Sequence, residues 1–178
     1  MASPVLVTGG TGRLGRLVVA RLQDAGCDVR VLARHDRGAP RHVSFFTADL
    51  RTGEGIDPAV SAVAAIIHCA TSTRGDAEAT RNLVTAAARA GSPHVVYVSI
   101  VGIDHIASWG YPKAKLEAER IVTSSGLPWT ILRVTQRETA GPGDPAHKDG
   151  LAPRPPANDG RRLAPRPPSP HHPYRKRP

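Results

Sequence analysis

Val5-Leu6-Val7-Thr8-Gly9-Gly10-Thr11-Gly12-Arg13-Leu14-Gly15 decides the fold of this chain. A short β-branched run leads into a glycine-rich turn, and a helical pattern starts at Arg13. Glycine at position 9 lets the chain turn tightly. At position 12 it lets backbone come close to a ligand, and at position 15 it lets the helix pack closely on a sheet. A helix that starts there offers free N–H donors and a partial positive charge. The ligand expected of such a loop is a diphosphate.

The sequence around this stretch has one rhythm. Arg13 to Ala25 carries Leu14, Leu17, Val18, Leu22 and Ala25 on one stripe, then Gly26. Asp76 to Ala90 carries Thr80, Leu83, Val84 and Ala87, then Gly91. Lys113 to Ser125 carries Ala114, Ala118, Ile121, Val122 and Ser125, then Gly126. These spacings predict three helices with one buried face each, closed by glycine in left-handed geometry. Between them lie Val5–Val7, Val29–Leu32, Val43–Phe46, Ala64–His68, Val95–Val98 and Trp129–Val134. Several are apolar at consecutive positions, as strands buried on both faces are. Strands alternating with helices predict right-handed crossovers and a doubly wound parallel sheet of the α/β class. The link from Asp49 to Ala62 has room for one helical turn or none.

Composition divides the chain. It has 178 residues, with 24 Lys and Arg against 15 Asp and Glu. Residues 137–178 hold 9 basic and 4 acidic side chains and 11 of the 17 prolines. Leu151 and Leu163 are their only Leu, Ile, Val or Phe. Such a segment cannot bury enough apolar surface to offset an ordering cost of about 1–2 kcal/mol per residue. The expectation is a folded domain over 1–136 and a disordered, basic, Pro/Arg-rich tail over 137–178. The tail repeats Leu-Ala-Pro-Arg-Pro-Pro at 151–156 and 163–168. Arg/Pro-rich text that begins abruptly after a strand is what an out-of-frame reading of a GC-rich gene gives, so a frameshift or truncation near residue 136 is expected. A sheet ending at Trp129–Val134 would then expose apolar side chains. A basic tail built for a nucleic acid is the other reading, but Tyr174 is its lone aromatic and base stacking has no support.

Other classes are excluded more simply. No apolar run reaches the roughly 18 residues of a membrane helix. Met1-Ala2-Ser3-Pro4 has no basic region before the apolar run, so no secretory signal is visible and a cytoplasmic protein is expected. Cys27 and Cys69 are far apart, and His68, His94 and His105 have no ligand spacing, so no metal is expected.

The spacing T-G-x-x-G-x-x-G over 8–15 resembles that of the short-chain dehydrogenase/reductase superfamily. Val29-Arg30-Val31-Leu32-Ala33-Arg34, Val96-Tyr97-Val98-Ser99-Ile100-Val101-Gly102 and Trp129-Thr130-Ile131-Leu132-Arg133 resemble its atypical, NmrA-like branch. The resemblance covers about residues 4–136. It implies a Rossmann-type fold and a nicotinamide dinucleotide held by Gly9, Gly10, Thr11, Gly12, Arg13, Leu14 and Gly15. It also implies that Asp49 and Leu50 lie beside the adenine and that Cys69, Ala70 and Thr71 line the cofactor. From the residues alone, Asp49 is equally a turn residue. Cys69 reads as a small apolar residue and not a nucleophile, since no basic partner is visible.

The end of the second strand selects the cofactor. A carboxylate there would bind the ribose hydroxyls of NAD. This strand ends at Ala33-Arg34, and a guanidinium can bind a 2′-phosphate through two hydrogen bonds. Arg34 with Arg13 points to NADP. Arg37 is a further candidate, and Asp36 keeps NAD open.

Tyr111 and Lys115 form Y-x-x-x-K at a helix start, four apart on one face. A tyrosine proton donor with its phenol lowered by about 3 pH units needs roughly 4 kcal/mol, which a nearby ammonium and an oxidised nicotinamide could supply. The resemblance implies that Tyr111 donates a proton, Lys115 tunes it and holds the nicotinamide ribose, and Ser99 orients a carbonyl. Pro112 biases Tyr111 toward extended geometry, which predicts Tyr111 at the cap and outside the helix. The expected function is hydride transfer from NAD(P)H to a carbonyl or quinone-like acceptor. The alternative is a non-catalytic NAD(P) sensor that binds a partner protein.

Overall fold

The computed structural model describes residues 3–35, 43–72, 75–106 and 110–135. Along the chain run β1 (Val5–Thr8), α1 (Arg13–Asp24), β2 (Val29–Ala33), β3 (Ser44–Thr47), α2 (Ile56–Val60) and β4 (Ala65–His68). There follow α3 (Asp76–Arg89), β5 (His94–Ile100), α4 (Ile103–Ile106), α5 (Gly110–Thr123) and β6 (Trp129–Val134). The expected tail over 137–178 lies outside the described residues, as do Asp36 and Arg37.

The strands form one sheet in the order β3-β2-β1-β4-β5-β6, and every pairing is parallel. This is the Rossmann-type doubly wound sheet that the alternation of elements predicts. The winding reverses between β1 and β4, which opens a crevice at the carboxyl ends of those strands.

Each face of the sheet is covered by its own helices. Leu6, Leu32, Ile66, Val95 and Tyr97 share one buried cluster with Ile56 and Ala59 of α2, Leu83 and Ala87 of α3, and Ala118 and Val122 of α5. Val7, Val29 and Val31 pack on Val19 of α1, flanked by Val18 and Leu22. Side chains on successive positions are therefore buried on opposite faces, and each large one contributes about 1.5–3 kcal/mol. Helices α1, α3 and α5 are followed by Gly26, Gly91 and Gly126 in left-handed geometry, as expected.

Four local expectations need correction or completion. The buried stripe of α1 is Gly15 and Val19, while Leu14 and Leu17 are 42% and 65% exposed. Gly15 must face the glycine turn, and that contact rotates Leu14 and Leu17 outward. The link after Asp49 does hold a short helix, α2. The segment between β5 and α5 holds a second short helix, α4, which the sequence does not announce. Finally, α5 starts at Gly110 and takes Tyr111 into its first turn. A proline in a first turn lacks only an N–H that would have no intrahelical acceptor, so Pro112 does not exclude Tyr111 from the helix.

Strand β6 pairs with β5 along its length and leaves Trp129 and Leu132 45% and 50% exposed. Among the described residues no helix is long and apolar enough to cross a membrane.

Candidate functional site

The carboxyl edge of the sheet gathers the expected residues from separate elements. Gly9–Gly15 follow β1, Arg34 follows β2, Asp49 and Leu50 follow β3, and Cys69–Thr71 follow β4. Ser99 lies near the end of β5, and Tyr111 and Lys115 lie in α5 beyond it.

The glycine turn is built by close backbone approach. Gly9 takes φ of +68°, and a Cβ on it would lie 2.7 Å from the Ala70 backbone. A Cβ on Gly10 would lie 2.8 Å from Val31. A Cβ on Gly15 would overlap the Gly9 carbonyl oxygen and stand 2.7 Å from Gly10 Cα. Gly15 thus packs α1 onto the turn itself more closely than onto the sheet. The turn is fixed by Gly9 N–H to Leu32 O at 3.2 Å and Gly12 N–H to Gly9 O at 2.9 Å. Gly12 caps α1 without a side-chain bond, and the first turn of α1 carries no acidic residue. The helix N-terminus therefore keeps its amide donors and partial positive charge for an anion. Cβ-free backbone beside free amides is the cradle a diphosphate requires, so the residues present fit a dinucleotide.

Arg13, at the start of α1, and Arg34, just past β2, are both exposed. Asp49 has a local role: its Oδ1 accepts the Arg51 N–H at 2.8 Å, and its backbone bridges to Glu54. Leu50 is buried in the core. Cys69 is half-buried, and burial pushes its thiol up to about 11, so it stays protonated at neutral pH.

A chain of buried polar groups runs beneath the edge. His68 links Thr8 Oγ1 to its Nδ1 at 2.6 Å and Thr80 Oγ1 to its Nε2 at 3.2 Å. Thr80 donates its only hydroxyl proton to Asp76 O at 2.7 Å, so it accepts from His68 Nε2–H. His68 Nδ1 then accepts from Thr8, whose oxygen also takes the Ala70 N–H. Burial, helped by the Lys115 ammonium, lowers His68 to about 3 and keeps the ring neutral.

Lys115 is only 4% exposed. Its ammonium donates to Tyr97 Oη at 3.0 Å and to Val98 O at 2.8 Å, and lies 4.4 Å from the Tyr97 ring centre. Asp76 Oδ2 is 4.0 Å away. Burial lowers the Lys115 pKa, and the Asp76 carboxylate opposes that shift. Tyr111 is bonded elsewhere, with its oxygen 3.0 Å from Thr71 Oγ1. Burial raises its pKa and the Asp76 charge adds to it, while a Thr71 hydroxyl bond offsets this only where Thr71 is the donor; the phenol is protonated at neutral pH. The lowering that an ammonium beside Tyr111 would give is not what this arrangement produces. Ser99 is 1% exposed, and its hydroxyl has no hydrogen-bond partner among the described residues.

Three side chains at the site have no site role in the sequence reading: Asp76, Tyr97 and His68. Asp76 had one weak signal, an acid in the first turn of a helix. A clamp of Arg133 with Glu119 at 2.7 Å and Asp104 at 2.5 Å joins β6, α5 and α4 behind Ser99. A shallow groove of about 590 Å³ between α3 and α5, lined by Arg81, Val84, Ile121 and Ser125 among others, shares none of the expected site residues.

Known proteins resemble this chain in sequence and fold. Residues 9–153 match the model of a family described as NAD(P)H-binding. A (4-alkanoyl-5-oxo-2,5-dihydrofuran-3-yl)methyl phosphate reductase of Streptomyces griseus is 34% identical over 134 residues, 72% of this chain and 46% of that protein. The photosystem II assembly factor Ycf39 of Trieres chinensis is 28% identical over 142 residues, 73% of this chain and 44% of that one. The chain thus spans about half the length of these two curated relatives. Among solved structures, the NADPH-dependent quinone oxidoreductase QOR2 of Escherichia coli, complexed with NADPH, superposes with a TM-score of 0.65. It is 25% identical, over 72% of this chain and 48% of that one. With its glycine cradle, its sheet order and this family match, the chain belongs to the NAD(P)H-binding family, as an NmrA-like member of the atypical short-chain dehydrogenase/reductases.

Proposed function

We propose that residues 1–136 form the dinucleotide-binding domain of a cytoplasmic NADPH-dependent reductase acting on a carbonyl or quinone-like acceptor. The observation that carries this reading is one sheet edge shared by the glycine cradle and a protonated tyrosine, Tyr111. When bound, the coenzyme supplies a hydride. The amides at the α1 N-terminus hold its diphosphate, and the Arg13 and Arg34 guanidinium groups take a 2′-phosphate. Cys69, Ala70 and Thr71 present small side chains along its path. Tyr111 holds the proton for the acceptor oxygen at its Oη, and Ser99 orients the acceptor. Lys115 bonds Tyr97 and Val98 from within the core and holds the end of β5 beside the site. NAD is the alternative coenzyme.

Fluorescence titration with NADPH and NADH, followed by NADPH oxidation with a benzoquinone and an aldehyde as probes, tests this. Saturable NADPH binding with turnover that Tyr111→Phe abolishes is expected. Arg34→Ala is expected to weaken NADPH about tenfold, by about 1.4 kcal/mol, and to leave NADH unchanged. No association of either coenzyme with folded protein at millimolar levels would overturn the assignment. A second reading, a dinucleotide sensor that binds a partner protein, is favoured by the buried Ser99 hydroxyl and by the assembly-factor relative. NADPH binding without turnover of either probe would select it.

A further inference from the structure

We infer that Asp76 is a positioning residue of this site: its carboxylate holds the strand-end segment Thr71-Ser72 against α3 and, through the Thr71 hydroxyl, sets the direction of the Tyr111 phenol proton. The inference rests on Tyr111 being the proton donor proposed above and describes the site without acceptor, where the phenol proton rests on Thr71 and turns to the acceptor oxygen once one binds. Asp76 is the first residue of α3 and is 4% exposed. Its Oδ1 accepts the Ser72 N–H at 2.5 Å, and its Oδ2 lies 2.9 Å from Thr71 Oγ1. Thr71 Oγ1 is also 3.0 Å from Tyr111 Oη. A threonine hydroxyl has one proton to give. Between a carboxylate and a neutral phenol, the charged acceptor makes the stronger bond, so Thr71 donates to Asp76. Its oxygen then accepts from the phenol. The chain Tyr111 O–H to Thr71 O–H to Asp76 has one sense, and Asp76 sets it.

This arrangement gives Asp76 three tasks at once. It orders the segment that lines the cofactor path. It docks the phenol on that segment, forty positions away in sequence. It also faces the buried Lys115 ammonium at 4.0 Å, so a positive charge in the core has a counter-charge. The ionisable groups that feel its charge are Lys115 and Tyr111 from α5 and Tyr97 from β5, and Lys115 in turn feels Glu119 and Cys69 and acts on His68. Asp76 is the one among them whose oxygens bond both the lining segment and the hydroxyl that meets the phenol.

The test reads the phenol itself, without substrate or coenzyme. With 3-fluorotyrosine incorporated at position 111, fluorine NMR follows its ionisation in the full-length chain. Asp76→Asn keeps the shape and removes the charge. The ionisation midpoint is expected to fall by about one pH unit, because the neutral phenol loses a fixed acceptor and a negative neighbour. Thr71→Val, at an exposed side chain, lowers the midpoint as well and serves if Asp76→Asn does not fold. Thr71→Ser restores the parental value. Combining Asp76→Asn with Thr71→Val gives less than the sum of the two shifts, as groups acting through one another do. An unchanged midpoint in Asp76→Asn, or a raised one in Thr71→Val, overturns the inference. Absence of reductase turnover in the parent would instead strike the proposed function and leave this titration readable.

Discussion

The glycine cradle and the cluster around Lys115 lie at the same sheet edge, yet opposite kinds of chemistry build them. The cradle is backbone: four glycines, two amide hydrogen bonds and a helix start, all within seven residues of sequence. The cluster is side chain: Asp76, Tyr97, Tyr111, Lys115 and Thr71 meet from α3, β5, α5 and the end of β4. A cradle made by excluding Cβ atoms fails all at once when one is added. A cluster made by mutual polar satisfaction fails by degrees, and with pH.

The sharpest way to break the contrast is Gly15→Val. Its Cβ would overlap the Gly9 carbonyl oxygen, and backbone cannot yield as a flexible side chain can. We expect destabilisation of about 3 kcal/mol or more, with loss of saturable NADPH binding. Urea unfolding read by circular dichroism checks the first, and fluorescence titration the second. A variant with the parental urea midpoint would show that α1 can move off the turn, and the cradle would not be a fixed shape.

The two regions also differ in how far they can be read from sequence. The cradle, the alternation of strands with helices and the glycine stops follow from patterns within about thirty residues, because a crossover unit is that local. The face of α1 could not be read that way. Apolar spacing selects Leu14 and Leu17, but the contact between Gly15 and Gly9 outweighs that pattern and turns both outward. The cluster was less legible still. Tyr111 with Lys115 suggests a shared helix face, yet Lys115 bonds Tyr97, 18 positions away, and Tyr111 meets Thr71, 40 positions away. No local periodicity encodes which buried donor meets which acceptor across the fold.

Acid sharpens the comparison, with a smaller effect. His68 titrates near 3 in the fold and near 6.5 when unfolded. Between those values the unfolded chain binds a proton that the native state does not, so stability is present above pH 6.5 and lost as pH falls toward 3. Once this is established, each pH unit costs about 1.4 kcal/mol. Urea midpoints from pH 7 to pH 4 should fall accordingly. In His68→Gln the slope should be shallower by one proton. Equal slopes in the two proteins would mean that carboxylates, and not the buried ring, set acid stability.

The smallest expected effect bears on the weakest part of the cluster. Ser99 is the one described side chain whose buried polar atom lacks a partner. A hydroxyl held in that state costs about 1–3 kcal/mol against a bonded one. Ser99→Ala removes the group with little change of volume, so it should stabilise the fold by about 1 kcal/mol and leave NADPH affinity unchanged. If Ser99 also orients an acceptor, the same variant lowers kcat with the benzoquinone probe while the urea midpoint rises. Opposite signs in stability and turnover are the mark of a polar group kept for chemistry at the expense of the fold. A variant that is both less stable and fully active would mean that Ser99 has a hidden structural partner and no part in the reaction. The polar cluster would then reduce to Tyr111, Lys115 and the carboxylate that faces them.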